Sequence, residues 1–374
     1  MAPTGVGFIG LSTETSFGPG SWGALAHLPA IRALKDYEIV AVANSTVESA
    51  QKAINFHGLS GAKAYGNPAD IAQDPRVELV VVSVNVGKHF MLVKPALENK
   101  KSVFVEWPLG ASIAESEELA KLAAANGVET IVGVQARADP FIVKVKELVT
   151  SGKIGRILST SVLINSSSIP TDGFFPGAEY FPDIKSGGNE FTIFFGHFLD
   201  SFVHVLGGFA DLSALLKSYI TNVTVVDSNG KVIQTIPKTA PDHIFVQGTL
   251  ESGAIASIAH RKSKSAVDNT GFRWVITGTE GELEVTLPDT QWQISAPQRA
   301  IRMKLGRGEV QNIDYLTKDD DVIEATVPSL GANVARLYDN FAKGDKENYA
   351  TFESALETHR LLDRILRAAG WDSV

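Results

Sequence analysis

The chain has no cysteine and only three methionines among its 374 residues. The first absence excludes disulfides, thiol nucleophiles and thiolate metal sites together. Long hydrophobic runs are missing too: no apolar stretch reaches the roughly 18 residues of a membrane-spanning helix. The first residues lack the charged, then apolar, then small pattern of a secretory signal, so a soluble cytoplasmic protein is expected. Positive charge is in deficit, with 34 Lys and Arg against 42 Asp and Glu and a net charge of −8. Without a dense basic stripe such a chain repels a phosphate backbone, and direct nucleic-acid binding is not expected. Neither an H-x-x-x-H spacing nor a carboxylate cluster is present, so no metal is expected. A nucleophile elbow and a phosphate-binding G-K-[ST] sequence are also missing.

What is present is a large apolar fraction, 44%, on a chain longer than one ordinary domain, which predicts two domains. The first 130 residues alternate short strands with amphipathic helices: GVGFIGL, LAHLPAIRALK, YEIVAVANS, SAQKAINFHG, VELVVVSVN, HFMLVKPALENK, KSVFVEWP, ESEELAKLAAANG and ETIVGVQ. Near-continuous Val and Ile runs belong to strands covered on both faces, the mark of a doubly wound parallel sheet. From residue 131 to 374 the style changes. ILSTSVLINSS, DLSALLKSYITNVTVV, DHIFVQGTLESGAIASIAHRKS, FRWVITGTEGELEVTL and TQWQISAP read as strands of a large, mainly antiparallel open sheet. Two helices, SLGANVARLYDNFAKG and TFESALETHRLLDRILRAAG, close the chain, and the last is expected to pack back on the first domain. The fold class is therefore α/β, a nucleotide-binding domain over 1–130 followed by an α/β domain over 131–374.

In parallel sheets of this kind ligands bind outside the carboxyl ends of the strands. Gly10 ends the first strand, Ser12 stands where a dinucleotide fingerprint has its middle glycine, and Gly18, Gly20 and Gly23 precede the helix. At the end of the second strand, where an acid would hold the ribose hydroxyls of NAD, stand Asn44, Ser45 and Thr46. A 2′-phosphate meets no repulsion there, which mildly favours NADP over NAD; the same three residues also suit a helix cap. Asn85, at the end of the fourth strand, is a candidate for the cofactor or a turn residue. Glu106 and Trp107 leave the fifth strand, and Gln135 and Arg137 the sixth, on the ligand side.

The segments GFIGL, HLPAI, VELVVVSVNVGKH, KSVFVEWPL, GVQARADP, SGKIGRI, GHFLD, GTEGEL and THRLLDRIL together resemble the glucose-fructose oxidoreductase and inositol dehydrogenase (Gfo/Idh/MocA) family. VEWPL, IPKTAPDHIFVQGTL and FFGHFLD are similar to a fungal subgroup that includes a galactose-pathway co-repressor. The resemblance implies NADP or NAD as cofactor and hydride transfer to or from a polyhydroxylated carbonyl or hydroxyl compound. It also implies a homodimer or dimer of dimers built on the large sheet. The family reads Glu-Lys-Pro after the fifth strand, the lysine moving the substrate proton; here Trp107 takes that place, and an indole exchanges no proton near neutral pH. Of the family pattern D-x-G-x-H-x-x-D, His197 and Asp200 remain, while Ile193 and Phe195 replace the first acid and the glycine. His197 is then the candidate proton carrier, assisted by Tyr180 or Lys185, with Glu190 nearby in sequence. Glu106 and Asn85 would help fix the cofactor, and Arg137 could meet a substrate oxygen or form an ion pair. Two readings stay open: an oxidoreductase with a relocated proton donor, or an NAD(P)-sensing regulator that works by binding a protein in the cytoplasm or nucleus.

Overall fold

The computed structural model describes residues 2–166, 173–288, 291–295 and 298–372. The chain divides into two units, the first comprising Met1–Ala138 and Lys318–His359, the second Asp139–Thr317 and Arg360–Val374.

The first unit holds six strands, β1 Thr4–Ile9, β2 Tyr37–Ala43, β3 Lys63–Tyr65, β4 Leu79–Val82, β5 Ser102–Glu106 and β6 Thr130–Gly133. They form an all-parallel sheet in the order β3-β2-β1-β4-β5-β6. The Val/Ile runs do what their composition predicts: all of β4 is buried, as are Val103 to Val105 of β5. Helices α1 Leu28–Ala33, α2 Val47–His57, α3 Pro68–Gln73, α4 His89–Glu98 and α5 Ile113–Asn126 make the crossovers. Their ends are written locally: Thr46 caps α2 through the Ser49 amide, Ser112 caps α5, and Gly58 and Gly127 end those helices in the left-handed region. The helix expected over 25–35 starts as a π turn, Gly23–His27, and continues as α1.

The boundary differs from the sequence reading. The first unit runs to Ala138 rather than 130 and takes back Lys318–His359, with α8 Lys318–Thr326, α9 Ser329–Lys343 and the start of α10 Phe352–Ala368. The reason is burial: Val334, Leu337 and Tyr338 of α9 join the core of β1, β2 and α1, and the Val132 amide donates to Ala350 O. Helix α8, which the Asp-rich sequence conceals, is pinned by Arg336, whose guanidinium lies 3.1 Å from both Asp320 and Glu324.

The second unit opens with α6 Pro140–Thr150 and contains β7 Ile157–Ser166, β8 Gly173–Phe174, α7 Gly196–Leu206, β9 Phe209–Lys217, β10 Asn222–Val226, β11 Val232–Pro237, β12 His243–Leu250, β13 Ile255–Lys262, β14 Phe272–Gly278, β15 Gly281–Leu287, β16 Ala300–Leu305 and β17 Gln311–Asn312. Eight of these strands form one sheet, β17-β16-β15-β14-β7-β13-β12-β9, antiparallel except for β7 with β13; β11-β10-β8 form a second. The expected strand DLSALLKSYITNVTVV is thus two strands in two sheets. TQWQISAP is no strand over its described residues 291–295: the Trp292 indole turns inward, donates to Ser201 Oγ at 2.7 Å and packs on Phe272. A buried Trp and Phe core of Phe198, Phe202, Phe272, Trp274 and Trp292 fills the face between α7 and the sheet.

Candidate functional site

The order of the parallel sheet reverses between β1 and β4, the place where doubly wound folds take ligands. Gly10 leaves β1 there at φ 95°, and a Cβ on it would stand 2.5 Å from Ser83 O, so only glycine lets the chain turn over β4. Ser12 lies in the loop beyond. Its carbonyl faces His57 Nε2 at 2.7 Å, and its hydroxyl accepts from the Glu14 amide. The loop closes on a turn in which Ser21 Oγ donates to Gly18 O.

At the end of β2, Asn44 Nδ2 donates to Leu11 O (2.9 Å) and Ser49 O, stitching the two crevice loops together. Thr46 caps α2, and Ser45 is exposed between them. Asn85 accepts from the Gly87 amide at 2.9 Å. Asn44, Thr46 and Asn85 therefore shape the backbone around the crevice, the turn and cap roles that the sequence also allowed. Arg137, in the buried 3-10 turn Gln135–Ala138, donates from Nη1 to Ser354 Oγ at 3.4 Å.

The β5 exit is held most closely. Glu106 lies 2.7 Å from His27 Nε2 and accepts from Gln135 Nε2 at 2.9 Å. Gly133 makes room for this carboxylate, because a Cβ there would stand 2.5 Å from Glu106 Oε1. Trp107, joined to Pro108 by a cis peptide, is 5% exposed and packs on the ring of His359. The Leu109 amide donates to His359 Nε2 at 3.1 Å, and Pro108 O is 2.8 Å from His89 Nδ1. Burial pushes His359 down to about 3, with His89 a second cause, and burial lowers His89 as well. His359 is thus a neutral support of the loop, and the two ring nitrogens of His89 face the carbonyls of Pro108 and Val84. Gln135 Oε1, beside the Glu106 carboxylate, is a buried acceptor with no hydrogen bond among the described residues. A carboxylate plus an unused amide oxygen at the carboxyl ends of β5 and β6 suits a ligand that donates hydroxyl or amide protons, as the ribose and carboxamide of a nicotinamide nucleotide do.

In the second unit the sequence-derived residues fall into different environments. His197 is buried near the start of α7, and its carbonyl accepts from Ser201 Oγ. Lys185 is exposed in the 3-10 turn Ile184–Ser186, and Tyr180 is partly buried just before it. Asn189 caps the π turn Glu190–Phe195, accepting from the Phe191 and Thr192 amides. Because a π turn is wider by one residue, the position one turn before His197 shifts from Ile193 toward Thr192. Glu190 is 1% exposed and accepts from Lys262 Nζ at 2.8 Å, with His260 Nε2 3.8 Å from its other oxygen. Burial lowers His260 to about 4 against the opposing pull of Glu190. Beyond lie Lys238 and Asp242, 3.2 Å apart and both buried; Asp242 also accepts from the Tyr219 and Ile220 amides. Lys238, Asp242 and Lys262 were missed as site residues. Lys262 alone carried a hint, a charge at an inward position of an alternating strand; Lys238 and Asp242 lie in the link between β11 and β12.

Residues 17–134 match the oxidoreductase family with an NAD-binding Rossmann fold, and residues 140–286 match the Gal80p C-terminal domain. A protein of Aspergillus oryzae named dehydrogenase aclE is 31% identical over 89% of this chain and 87% of its own. The chain therefore belongs to the Gfo/Idh/MocA oxidoreductase family, in a fungal subgroup that resembles Gal80. The galactose/lactose metabolism regulatory protein GAL80 of Kluyveromyces lactis is 34% identical over 76% of this chain and 64% of its own. A crystal structure of a super-repressor mutant of Gal80p from Saccharomyces cerevisiae aligns over 99% of this chain and 96% of its own, with a TM-score of 0.87 and 26% identity.

Proposed function

We propose that the chain is an NAD(P)-dependent oxidoreductase acting on a hydroxyl or carbonyl compound, polyhydroxylated by analogy with the family. The observation that carries this reading is the β5–β6 exit, where Glu106 and the unused Gln135 Oε1 form a donor-seeking pair beside the reversal of strand order. The nicotinamide, when bound, supplies or accepts the hydride. The chain's own part is to hold the dinucleotide between the Gly10–Ser12 turn, the Asn44–Thr46 end of β2, Asn85 and the Glu106–Trp107 loop, with Arg137 in the turn that follows β6. No acid stands at the end of β2 and Ser45 offers an exposed hydroxyl, which supports NADP over NAD. Trp107 moves no proton, so His197 carries it, with Tyr180 or Lys185 as its assistants. The relative named a dehydrogenase supports the same reading.

A second copy of the chain would cover the open face of the large sheet. There Leu215 stands opposite Phe245, Phe245 opposite Ala259 and Ala259 beside Leu163. Leu215 is 77% exposed and Phe245 43%, more apolar surface than an isolated sheet face normally shows to water.

One observation favours a second reading. The lysine position is filled by an indole packed on a neutral histidine, and two GAL80 regulators are among the relatives. On that reading the chain senses NAD(P) and acts on a regulatory protein partner in the cytoplasm or nucleus. A screen of sugars and polyols, followed by nicotinamide absorbance, separates the two. Turnover that His197→Ala abolishes while dinucleotide affinity persists supports the enzyme. Dinucleotide binding without turnover on any of them supports the sensor.

A further inference from the structure

We infer that His27 is a positioning residue for the ligand-binding carboxylate of Glu106, and that Tyr338 holds the imidazole in the tautomer this carboxylate requires. This rests on the reading that the first unit binds a dinucleotide.

His27 ends the π turn Gly23–His27 and is fully buried, with its ring edge-on to Phe8 and Phe104. Its two nitrogens meet different partners: Nε2 is 2.7 Å from Glu106 Oε1, and Nδ1 is 2.9 Å from the Tyr338 hydroxyl. An ionised carboxylate only accepts, so the proton sits on Nε2; the bare Nδ1 then accepts from the phenol. Burial pushes Tyr338 well above its ordinary value, so the phenol keeps the proton it donates. Tyr37 secures the far side by donating from its own hydroxyl to Tyr338 O at 2.7 Å.

The consequence lies at the β5 exit. His27 occupies Oε1, and Gln135 Nε2 reaches both oxygens, at 3.3 and 2.9 Å. The carboxylate is held by three fixed contacts, and 12% of its side chain remains exposed. A carboxylate held this way suits a neutral donor, a hydroxyl or an amide N–H, and repels a phosphate. The His27 and Tyr338 partnership also explains why α9, late in the chain, belongs to the first unit: it delivers the hydroxyl that orients the imidazole.

The test is a double-mutant cycle on NADPH and NADH affinity, with His27→Leu and Glu106→Gln in the full chain. His27→Leu alone is expected to weaken binding about tenfold, the effect of loosening one charge-assisted contact. In the Glu106→Gln background the same change should weaken it less than about twofold. An equal loss in both backgrounds would overturn the inference, because a merely structural histidine acts regardless of what Glu106 carries. If His27→Leu does not fold, Tyr338→Phe replaces it in the cycle, with the same non-additivity expected. If the wild-type chain binds neither dinucleotide, the functional reading fails, and nitrogen-detected NMR of labelled histidine decides the inference. Glu106→Gln should shift the His27 Nε2–H signal, and Tyr338→Phe should shift the bare Nδ1 signal with the proton still on Nε2; a His27 signal indifferent to both changes would sink it.

Discussion

Trp107 and His359 pack ring against ring, with centroids 4.6 Å apart and planes tilted by 42°. The indole at the family's lysine position is therefore anchored by α10, a helix more than two hundred residues later in the chain. Trp107→Ala should cost about 3–5 kcal/mol, the range for emptying a buried aromatic site, and Trp107→Phe clearly less. Urea unfolding followed by circular dichroism measures both. Equal small losses would mean that the loop does not depend on the indole.

Buried neutral imidazoles give the chain an acid weakness. His359 falls to about 3 and His260 to about 4, and His89 is lowered as well, burial being the first cause each time. Unfolded, each histidine titrates near 6.5. Below that value the unfolded chain takes up protons that the folded chain refuses, so stability is fully present above about pH 6.5 and falls as pH drops toward 4. The loss approaches about 1.4 kcal/mol per pH unit for each of His359 and His260. Denaturation midpoints between pH 7.5 and about 4.5 should show this slope, and His359→Phe should flatten it. A midpoint insensitive to pH would contradict it.

The Glu190–Lys262 pair is almost wholly enclosed. Lys262→Met leaves Glu190 charged and buried, an expected loss of about 3–5 kcal/mol. Pairing it with Glu190→Leu should recover most of that, since two apolar side chains leave no stranded charge. Thermal unfolding of the single and double variants is the check; additive losses would show that the two residues are not a pair.

Phe245→Arg or Leu215→Arg on the open sheet face should shift the chain toward monomer with little loss of monomer stability, both side chains being exposed. Light scattering reads the mass directly. A wild-type protein that is already monomeric at micromolar concentration would remove the proposed second copy.

How far these features were legible depends on range. The Val and Ile runs of β1, β4 and β5 announced themselves, because burial on both faces leaves no room for polar residues. Trp107 could be placed at a ligand-side strand exit from the strand before it. His27 could not be placed beside Tyr338, since nothing local to either marks a partner 311 residues away. TQWQISAP misled because a single inward indole imitates strand alternation, and the π turn at Glu190 moved the register that the motif spacing assumed. Lys262 read as an ordinary strand residue, and Lys238 fell between the expected strands, until folding removed both from water.

The central claim is that the first unit binds a nicotinamide dinucleotide at the β5–β6 exit. Titrating the protein with NADPH and NADH while following tryptophan fluorescence, alongside a Glu106→Ala variant, tests it most directly. The account predicts saturable quenching with a dissociation constant below about 1 mM, tighter for NADPH, and at least about tenfold weaker in the variant. No response to either dinucleotide at millimolar concentration, or equal affinity with and without the Glu106 carboxylate, would contradict it.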